Sequence, residues 1–497
     1  MSRSKKIPVT KTITAEQAAA QKTDTVALLL KMVFTTYVML AVYGMLNHEL
    51  WRDEAQAWLL VRDTDLAQLL RILPTEGHPP LWYLLIMPLA KMGLPYAAQS
   101  WLAVIIMSVV VYVLLFKTTL HTIIKILLPF GFFFLYEYGL FARSYCLIIF
   151  FSAMITSLYP RRFEQPLLFA LCIIGLFNTH VLVFSFALAL SCLFMVDALQ
   201  QKKATGTAWF CFAAMMAGGL YLLPYLAAAK MTSSFAPYMG DAASLMNNAV
   251  LHGTMVDGSA GVAWFLLLLA IAAMAHRAKP FLALIAGIAG ILYILGYRFP
   301  GSYRHEGIIY IELLCALGIS GYYAHDRWNI SQLQKNFFNY SYVPLSLIAL
   351  LQLKPGIENY MADINETFSD SKNVASFLRS NGLDKKIIVS HQAWSGTSVL
   401  PYLSPNTRMF YAECQRYGTY YVYDSCFVNR RFEYAPDFAV DVTHDNFKGN
   451  LANVIMLFNY PVRDRALMYL DVLYSTPGEC IRQDERFFVY KFKDGVK

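Results

Sequence analysis

Charged residues are scarce in this sequence: Asp, Glu, Lys and Arg make up only 15% of its 497 residues, whereas 57% are hydrophobic. About a quarter of the residues of an ordinary soluble domain are charged. This composition excludes a typical soluble protein and predicts an α-helical polytopic membrane protein. The long apolar runs stop near residue 355, so we predict a basic cytoplasmic tail over 1–25, a transmembrane domain over 26–355 and a soluble domain over 356–497.

Several common sequence patterns are absent too. The chain has no Walker or dinucleotide-binding glycine motif, which argues against nucleotide-dependent chemistry, and no Cys/His spacing typical of zinc sites. It shows no internal repeat of the kind found in many transporters. The first 25 residues are polar and basic and lack the short apolar core of a removable signal peptide. We therefore expect the first span to act as its own insertion signal.

The apolar runs predict about eleven spans, because crossing the hydrocarbon core takes about 20 apolar residues. They lie at 26–46, 96–116, 123–140, 144–160, 166–179, 181–199, 207–229, 262–275, 280–297, 307–324 and 337–353. Most basic residues of the tail and short loops then lie on one side, namely Arg3, Lys5, Lys6, Lys11, Lys22, Lys117, Lys125, Arg161, Arg162, Lys202, Lys203, Arg277, Lys279, Arg327 and Lys335. Since basic loops stay cytoplasmic, the soluble domain is predicted to lie outside.

One apolar segment decides this orientation. The stretch "LWYLLIMPLAKMG" (81–93) is too short to cross a bilayer and contains Pro88. We predict an interfacial helix there, within a first outer loop at 47–95. Counting the segment as a span would reverse the sidedness of every later loop.

The soluble domain is predicted to be a small α/β or α+β unit, with a helix at 371–383 and strands at 385–390, 454–460 and 485–493. Three of the eight cysteines, Cys414, Cys426 and Cys480, lie in it, where an oxidising environment would allow a disulfide. Cys414–Cys426 is one candidate pair, but three cysteines leave the pairing open. The tyrosine-rich segment 417–427 could stack on carbohydrate, although buried strand aromatics are the simpler interpretation.

The predicted outer loops carry groups that can transfer protons, form hydrogen bonds or bind anions, whereas the inner loops carry mainly Lys and Arg. These outer residues include Arg52, Asp53, Glu54, His78, Glu137, Arg143, Tyr145, His180, Tyr303, Arg304 and His305. Polar groups are costly to hold in lipid, so a one-sided set predicts a reaction centre at the outer face. A carboxylate there can accept a proton, and the planar fork of an arginine matches phosphate oxygens.

Each residue taken alone also has a simpler structural interpretation. Asp53 could cap the helix that begins near it, and "GHPP" (77–80) could mark only a helix start. Arg143 or Arg304 could extend along the interface, and His180 could be a satisfied interfacial histidine. A transporter or flippase of lipid-linked sugars is the alternative function, and an envelope scaffold without catalysis is a third.

Four short motifs, taken in order, resemble those of the GT-C class of polytopic glycosyltransferases. The nearest branch is that of protein O-mannosyltransferases and the bacterial lipid A aminoarabinose transferase. The motifs are "RDEAQAW" (52–58), "HPPLWYLL" (78–85), "ARSY" (142–145) and "YRHEG" (303–307). The resemblance covers about 30–325. One departure concerns the acidic residue that often precedes the Ala-Arg turn, because Phe141 stands there and Glu137 lies six residues before Arg143.

The resemblance implies an inverting transferase that uses a polyprenyl-phosphate-linked sugar at the outer face of the membrane. It implies Asp53 as general base and Glu54 as a neighbour that shapes the site. The implied donor-phosphate ligands are Arg143, Tyr145, Arg304 and His305, and the implied cavity residues are Arg52, His78, Glu137, His180 and Tyr303.

The same resemblance implies the partners of the reaction. They are a lipid-linked donor, an acceptor glycan, lipid or protein, and the bilayer, with no nucleic acid and no cofactor. Because the leaving group is a stable phosphate monoester whose charge arginines could hold in place of a divalent ion, we also predict no metal requirement. Because the sequence shows no obvious retention tail, we expect a bacterial inner membrane rather than the endoplasmic reticulum.

Overall fold

The computed structural model describes residues 15–228, 241–299, 301–323, 340, 342–424, 426 and 436–495. Several residues that we used to orient the spans lie outside this range, namely Arg3, Lys5, Lys6, Lys11, Arg327 and Lys335, as does the start of the predicted span 337–353. The described part is mostly helical, with one small sheet near the C-terminus.

The helices of the N-terminal part are numbered here in chain order. They are α1 (Ala15–Asn47), α2 (Arg52–Asp63), α3 (Leu66–Glu76), α4 (Leu81–Lys91), α5 (Ala98–Lys117), α6 (Thr122–Leu127), α7 (Tyr145–Leu158), α8 (Pro166–Phe177), α9 (Phe184–Gln200), α10 (Gly206–Leu220), α11 (Leu223–Ala228), α12 (Ala242–Thr254), α13 (Ala260–Met274), α14 (Ala278–Tyr297), α15 (Tyr303–Glu306) and α16 (Ile308–Ser320). Two further helices, Tyr342–Leu351 and Leu353–Asn365, follow. The second of them passes the domain boundary that we predicted at 355.

Five described helical segments are long and apolar enough to cross a membrane: Asp24–Asn47, Ala98–Lys117, Val181–Gln200, Gly206–Leu226 and Ala278–Tyr297. Shorter apolar helices occupy Leu81–Lys91, Tyr145–Arg161, Pro166–Phe177 and Ala260–Met274. At about 1.5 Å per residue, a helix of fewer than about 18 residues falls short of a hydrocarbon core about 30 Å thick. By length and composition, the described residues therefore contain five candidate spans, fewer than the eleven that we predicted.

The apolar run at 123–140 does not form one continuous helix. α6 ends at Leu127, a 3₁₀ turn covers Leu128–Phe130, and a π-helical segment covers Phe132–Glu137. Pro129 and Gly131 explain the interruption, since proline lacks an amide proton and glycine favours non-helical conformations. The main chain of Phe132 instead donates to the carbonyl of Gln352 at 3.1 Å, which joins this segment to the helix Leu353–Asn365.

Three short helices, α2 to α4, follow α1. α4 confirms the helix that we predicted at 81–93, and it begins directly after Pro80. α2 begins at Arg52 with Trp51 as its N-cap, so the interpretation of Asp53 as the cap is wrong and Asp53 lies in the first turn. The reason is local: the Glu54 carboxylate accepts the Trp51 amide at 3.1 Å and satisfies the helix start from the third position.

The C-terminal part confirms the predicted mixture of helix and strand. Its sheet has the order β3-β2-β1-β4-β6-β5. The strands are β1 (Ile387–Ser390), β2 (Met409–Tyr411), β3 (Arg416–Gly418), β4 (Val454–Phe458), β5 (Leu470–Ser475) and β6 (Phe488–Phe492). β1 pairs in parallel with β2 and β4, and the other pairs are antiparallel. The predicted helix is present as Ser371–Ser380.

The candidate disulfide is confirmed, because Cys414 and Cys426 are bonded and Cys480 is a buried free thiol. The tyrosine-rich segment contributes only its first residues to β3. Tyr421 is buried in the core, whereas Tyr417 is half exposed. The segment therefore contains both buried and surface tyrosines.

Candidate active site

Asp53 lies where three distant parts of the chain meet. Its carboxylate accepts a hydrogen bond from Arg304 at 2.8 Å, across 251 residues of sequence. Arg143 donates to the main-chain carbonyl of Asp53. The Nε atom of Arg52 lies 3.8 Å from the Asp53 carboxylate. The structure thus brings together the acidic residue and the two later arginines that the sequence placed on one face.

Glu54 is adjacent to Asp53 but contacts different groups. Its side chain is fully buried, and its carboxylate accepts the amide of Ala142 at 2.7 Å as well as that of Trp51. Glu54 therefore fixes the turn that carries Arg143 against the start of α2. The contacts of Glu54 position the arginine rather than reach the Asp53 carboxylate.

His78 supports Arg143 from the start of α4. Its Nδ1 lies 2.8 Å from the carbonyl of Glu76, and its Nε2 lies 3.2 Å from the Arg143 guanidinium. The carbonyl can only accept and the guanidinium can only donate, so Nδ1 carries the proton and Nε2 accepts. Burial, aided by the charge of Arg143, lowers the pKa of His78 to about 4, so the ring is neutral at neutral pH.

Arg304 is held by the π-helical segment and the residue after it. Its Nε atom lies 3.4 Å from the Glu137 carboxylate, and its carbonyl accepts the Tyr138 hydroxyl at 2.7 Å. Glu137, whose place in the motif departs from the family pattern, is therefore the second carboxylate partner of Arg304 after Asp53.

A cluster of neutral rings lies beside the arginines. The Tyr145 hydroxyl lies 3.0 Å from His305 Nε2, and the ring centroid of His180 lies 5.3 Å from that of His78 and 5.5 Å from that of His305. Burial lowers the pKa of His180 and of His305 well below the usual value. Tyr145, His180 and His305, all predicted site residues, thus form one group with His78.

Tyr303 lies apart from this cluster. Its ring packs 4.5 Å from that of His252 and 5.8 Å from that of Phe132, and 39% of the residue is exposed. It therefore faces the far side of the short helix α15, although Arg304 and His305 beside it belong to the site.

The C-terminal domain supplies residues that sequence reasoning missed. Arg482 lies with its guanidinium 4.0 Å from the centre of the Trp51 ring. Asp484 pairs with the Arg52 guanidinium, and Glu485 accepts the Arg52 amide at 2.9 Å. The only signal was the charge-rich run "RQDER" (482–486), and charged runs are ordinary in a soluble domain.

A charged carboxylate among guanidinium groups defines the electrostatics of the site. Burial alone would raise the pKa of Asp53, but the charges of Arg304, Arg143 and Arg52 lower that pKa to about 2. Asp53 is therefore an anion at neutral pH. The arginines offer donors that suit a phosphate, so the arrangement can hold an anion and a carboxylate base side by side.

The fold and this site define a mostly helical protein with membrane-length apolar helices, in which a carboxylate and several arginines meet beneath a small C-terminal domain. No family model, curated protein or solved structure matches the chain. Within the described ranges, no group of three or more His, Cys, Asp or Glu could hold a metal ion. The expectation that the reaction needs no metal stays a prediction.

Proposed function

We propose that this protein is an inverting glycosyltransferase that moves a sugar from a polyprenyl-phosphate-linked donor to an acceptor hydroxyl at the outer face of a membrane. The observation that carries the proposal is the convergence of Asp53, Arg143 and Arg304. A base and a pair of phosphate ligands are the groups that such a transfer needs.

In this reaction Asp53 accepts the proton of the acceptor hydroxyl, and the oxygen attacks the anomeric carbon of the sugar. The bond between that carbon and the phosphate oxygen breaks, and its electron pair remains on the lipid phosphate. Arg143 and Arg304 stabilise the leaving phosphate through charge-assisted hydrogen bonds. The neutral rings of His305 and Tyr145 lie beside them and offer further polar contacts.

The low pKa of Asp53 links donor binding to catalysis. A carboxylate with a pKa of about 2 is a weak base. Arg304 pairs with Asp53, and a donor phosphate would compete for the same guanidinium. Its negative charge would raise the pKa of Asp53, so the base becomes effective only after the donor has bound.

Replacement of Asp53 by Asn tests the proposal, because it removes the base and leaves the size of the side chain unchanged. We expect turnover to fall by roughly 10²–10⁴-fold without loss of folding. The assay is release of lipid phosphate from labelled polyprenyl-phosphate sugars by the purified protein, with the melting temperature measured in parallel.

Asp63→Asn is the matched control, since Asp63 ends the same helix and pairs with Arg62 at 2.7 Å, away from the arginine cluster. It should transfer at the rate of the wild type. Unchanged transfer by Asp53→Asn would contradict the role of Asp53 as the base.

One observation favours the alternative, a transporter or flippase of lipid-linked sugars. Glu312, in the middle of α16, is 1% exposed, and neither of its carboxylate oxygens has a hydrogen-bond partner within the described residues. An ionisable residue inside an apolar helix often marks a transport path. Proteoliposomes with labelled donor separate the two functions, because a flippase moves the intact donor across the bilayer without an acceptor.

A further inference from the structure

Arg482 is one of the residues by which the C-terminal domain reaches the candidate site. The amide of Arg482 donates to the carbonyl of Phe368 at 3.0 Å, and that of Ile481 donates to the carbonyl of Thr367 at 2.9 Å. These bonds fix the segment against the chain that leaves the membrane domain. Its guanidinium is consequently held over Trp51, the residue before α2.

The guanidinium groups of three arginines lie close to the Trp51 ring. The guanidinium carbons of Arg482, Arg304 and Arg52 lie 4.0, 4.7 and 5.3 Å from its centroid. Cation–π attraction offsets part of the repulsion between such close like charges. The remaining repulsion favours binding of an anion at this point.

Arg482 differs from the other two in its partners. Arg304 pairs with Asp53 and Glu137, and Arg52 pairs with Asp484. No carboxylate of the described chain lies within ion-pair distance of Arg482, whose side chain is partly buried against Trp51 and Phe368. A partly buried cation without a carboxylate partner can stabilise negative charge that develops on a phosphate beside it.

We propose that Arg482 stabilises the second negative charge that the donor phosphate gains as the sugar departs. The inference rests on the proposed function. The donor is a phosphodiester with one negative charge, and the leaving group is a monoester with a charge of about −1.5 to −2 at neutral pH. The new charge comes from the electron pair of the broken carbon–oxygen bond.

A residue that acts on the new charge has a recognisable effect. Interactions that are stronger in the transition state than in the bound ground state change kcat. Interactions that are equally strong in the ground state and the transition state change KM. Loss of Arg482 should therefore weaken binding of a monoester much more than binding of a diester. It should lower kcat more than it raises KM.

The test measures binding of two probes, polyprenyl phosphate and its methyl diester, to the purified full-length protein. For Arg482→Gln we expect affinity for the monoester to fall roughly 10- to 100-fold, as for loss of a charge-assisted hydrogen bond. Affinity for the diester should change less than about 3-fold. Arg486→Gln is the matched control, since Arg486 lies four residues on and pairs with the exposed Glu479 at 3.1 Å.

The outcomes separate the two proposals. Equal losses for both probes, or no loss for either in a folded Arg482→Gln variant, would overturn the role of Arg482 and leave the transferase proposal standing. A wild type that binds neither probe would overturn both proposals.

If the Gln variant does not fold, Arg482→Lys replaces it, because Lys keeps the charge but lacks the planar fork of the guanidinium. A selective loss of monoester affinity in that variant supports the proposal, whereas equal losses for both probes, or no loss for either, overturn it.

Discussion

His48 connects the candidate site to the C-terminal end of α1. It follows α1 directly and is buried, with Nδ1 2.8 Å from Asp363 and Nε2 3.4 Å from Glu54. Its ring also packs 4.9 Å from Phe141. One imidazole thus joins α1, α2 and the helix Leu353–Asn365, and through Glu54 it supports the turn that carries Arg143.

The charge of His48 follows from its two carboxylate neighbours. Burial alone would lower the pKa of His48, but Asp363 and Glu54 raise it from 6.5 to about 10. A raised pKa of a histidine means that its stabilising contribution is complete below pH 6.5 and disappears as pH rises through about 10. Thermal stability of the wild type should therefore decline over that interval.

We predict that His48→Gln destabilises the protein, because it leaves two buried carboxylates without their cation. Breaking a buried ion pair costs about 3–5 kcal/mol. The melting temperature should fall, and its decline between neutral and alkaline pH should disappear. His444→Gln, at a partly exposed position beside the exposed Asp445, should behave as the wild type. A His48→Gln variant with the pH profile of the wild type would show that the histidine is not the titrating group.

Residues of the site could be predicted from sequence only where a charged residue lies in an unusual sequence context. Asp53, Arg143 and Arg304 stood out because charges beside apolar runs are costly and rare. Arg482 did not, since it lies in a domain where charges are ordinary. The differing contacts of Asp53 and Glu54 also escaped prediction, because adjacent residues carry the same signal and only tertiary contacts distinguish them.

Among the elements, the π-helical segment Phe132–Glu137 does most to shape the site. It presents Glu137 to Arg304, and the turn that carries Arg143 follows it. The helix Leu353–Asn365 packs against it at Gly356, where an added Cβ would lie 2.8 Å from the Phe132 amide nitrogen and 2.9 Å from the Phe130 carbonyl oxygen. Glycine is needed there because backbone atoms cannot move aside as a flexible side chain can.

We predict that Gly356→Ala separates these two elements. Overpacking of this kind costs about 1–3 kcal/mol, so the melting temperature should fall, and transfer activity should fall with it as Glu137 shifts. Gly206→Ala is the control, because nothing lies within 4 Å of its added Cβ. If both variants melt and transfer alike, the close contact at Gly356 does not hold the segment in place.

Hydropathy could not reveal this element. The run 123–140 is apolar enough to resemble a span. Its hydropathy does not show that Pro129 and Gly131 interrupt the helix. The strands Ile387–Ser390, Val454–Phe458 and Phe488–Phe492 were easier to predict, because β-branched and aromatic residues between polar turns favour a strand whatever surrounds it. Local patterns thus predicted β1, β4 and β6 but missed β2, β3 and β5, and the irregular element required tertiary contacts.

At the scale of the whole molecule, two charged clusters lie at opposite ends of α9. His180, in the candidate site, precedes the first turn of α9, and Asp197 lies in its last turn. Asp197 is buried and contacts Arg162 at 2.8 Å and Lys279 at 2.5 Å. The helical segment Val181–Gln200, which contains α9, has 20 residues and spans about 30 Å at 1.5 Å per residue, which is about the thickness of the hydrocarbon core.

This separation predicts that the two clusters face different sides of the membrane, with the C-terminal domain on the side of the site. Lys385 is exposed in that domain, and Gln201 is exposed just after α9. A membrane-impermeant maleimide added to intact cells should label Lys385→Cys and should label Gln201→Cys only after lysis, with the wild type as the baseline for native thiols. Equal labelling of both before lysis would place Asp197 on the side of Asp53, and helix α9 could not then cross the bilayer as the charge distribution requires.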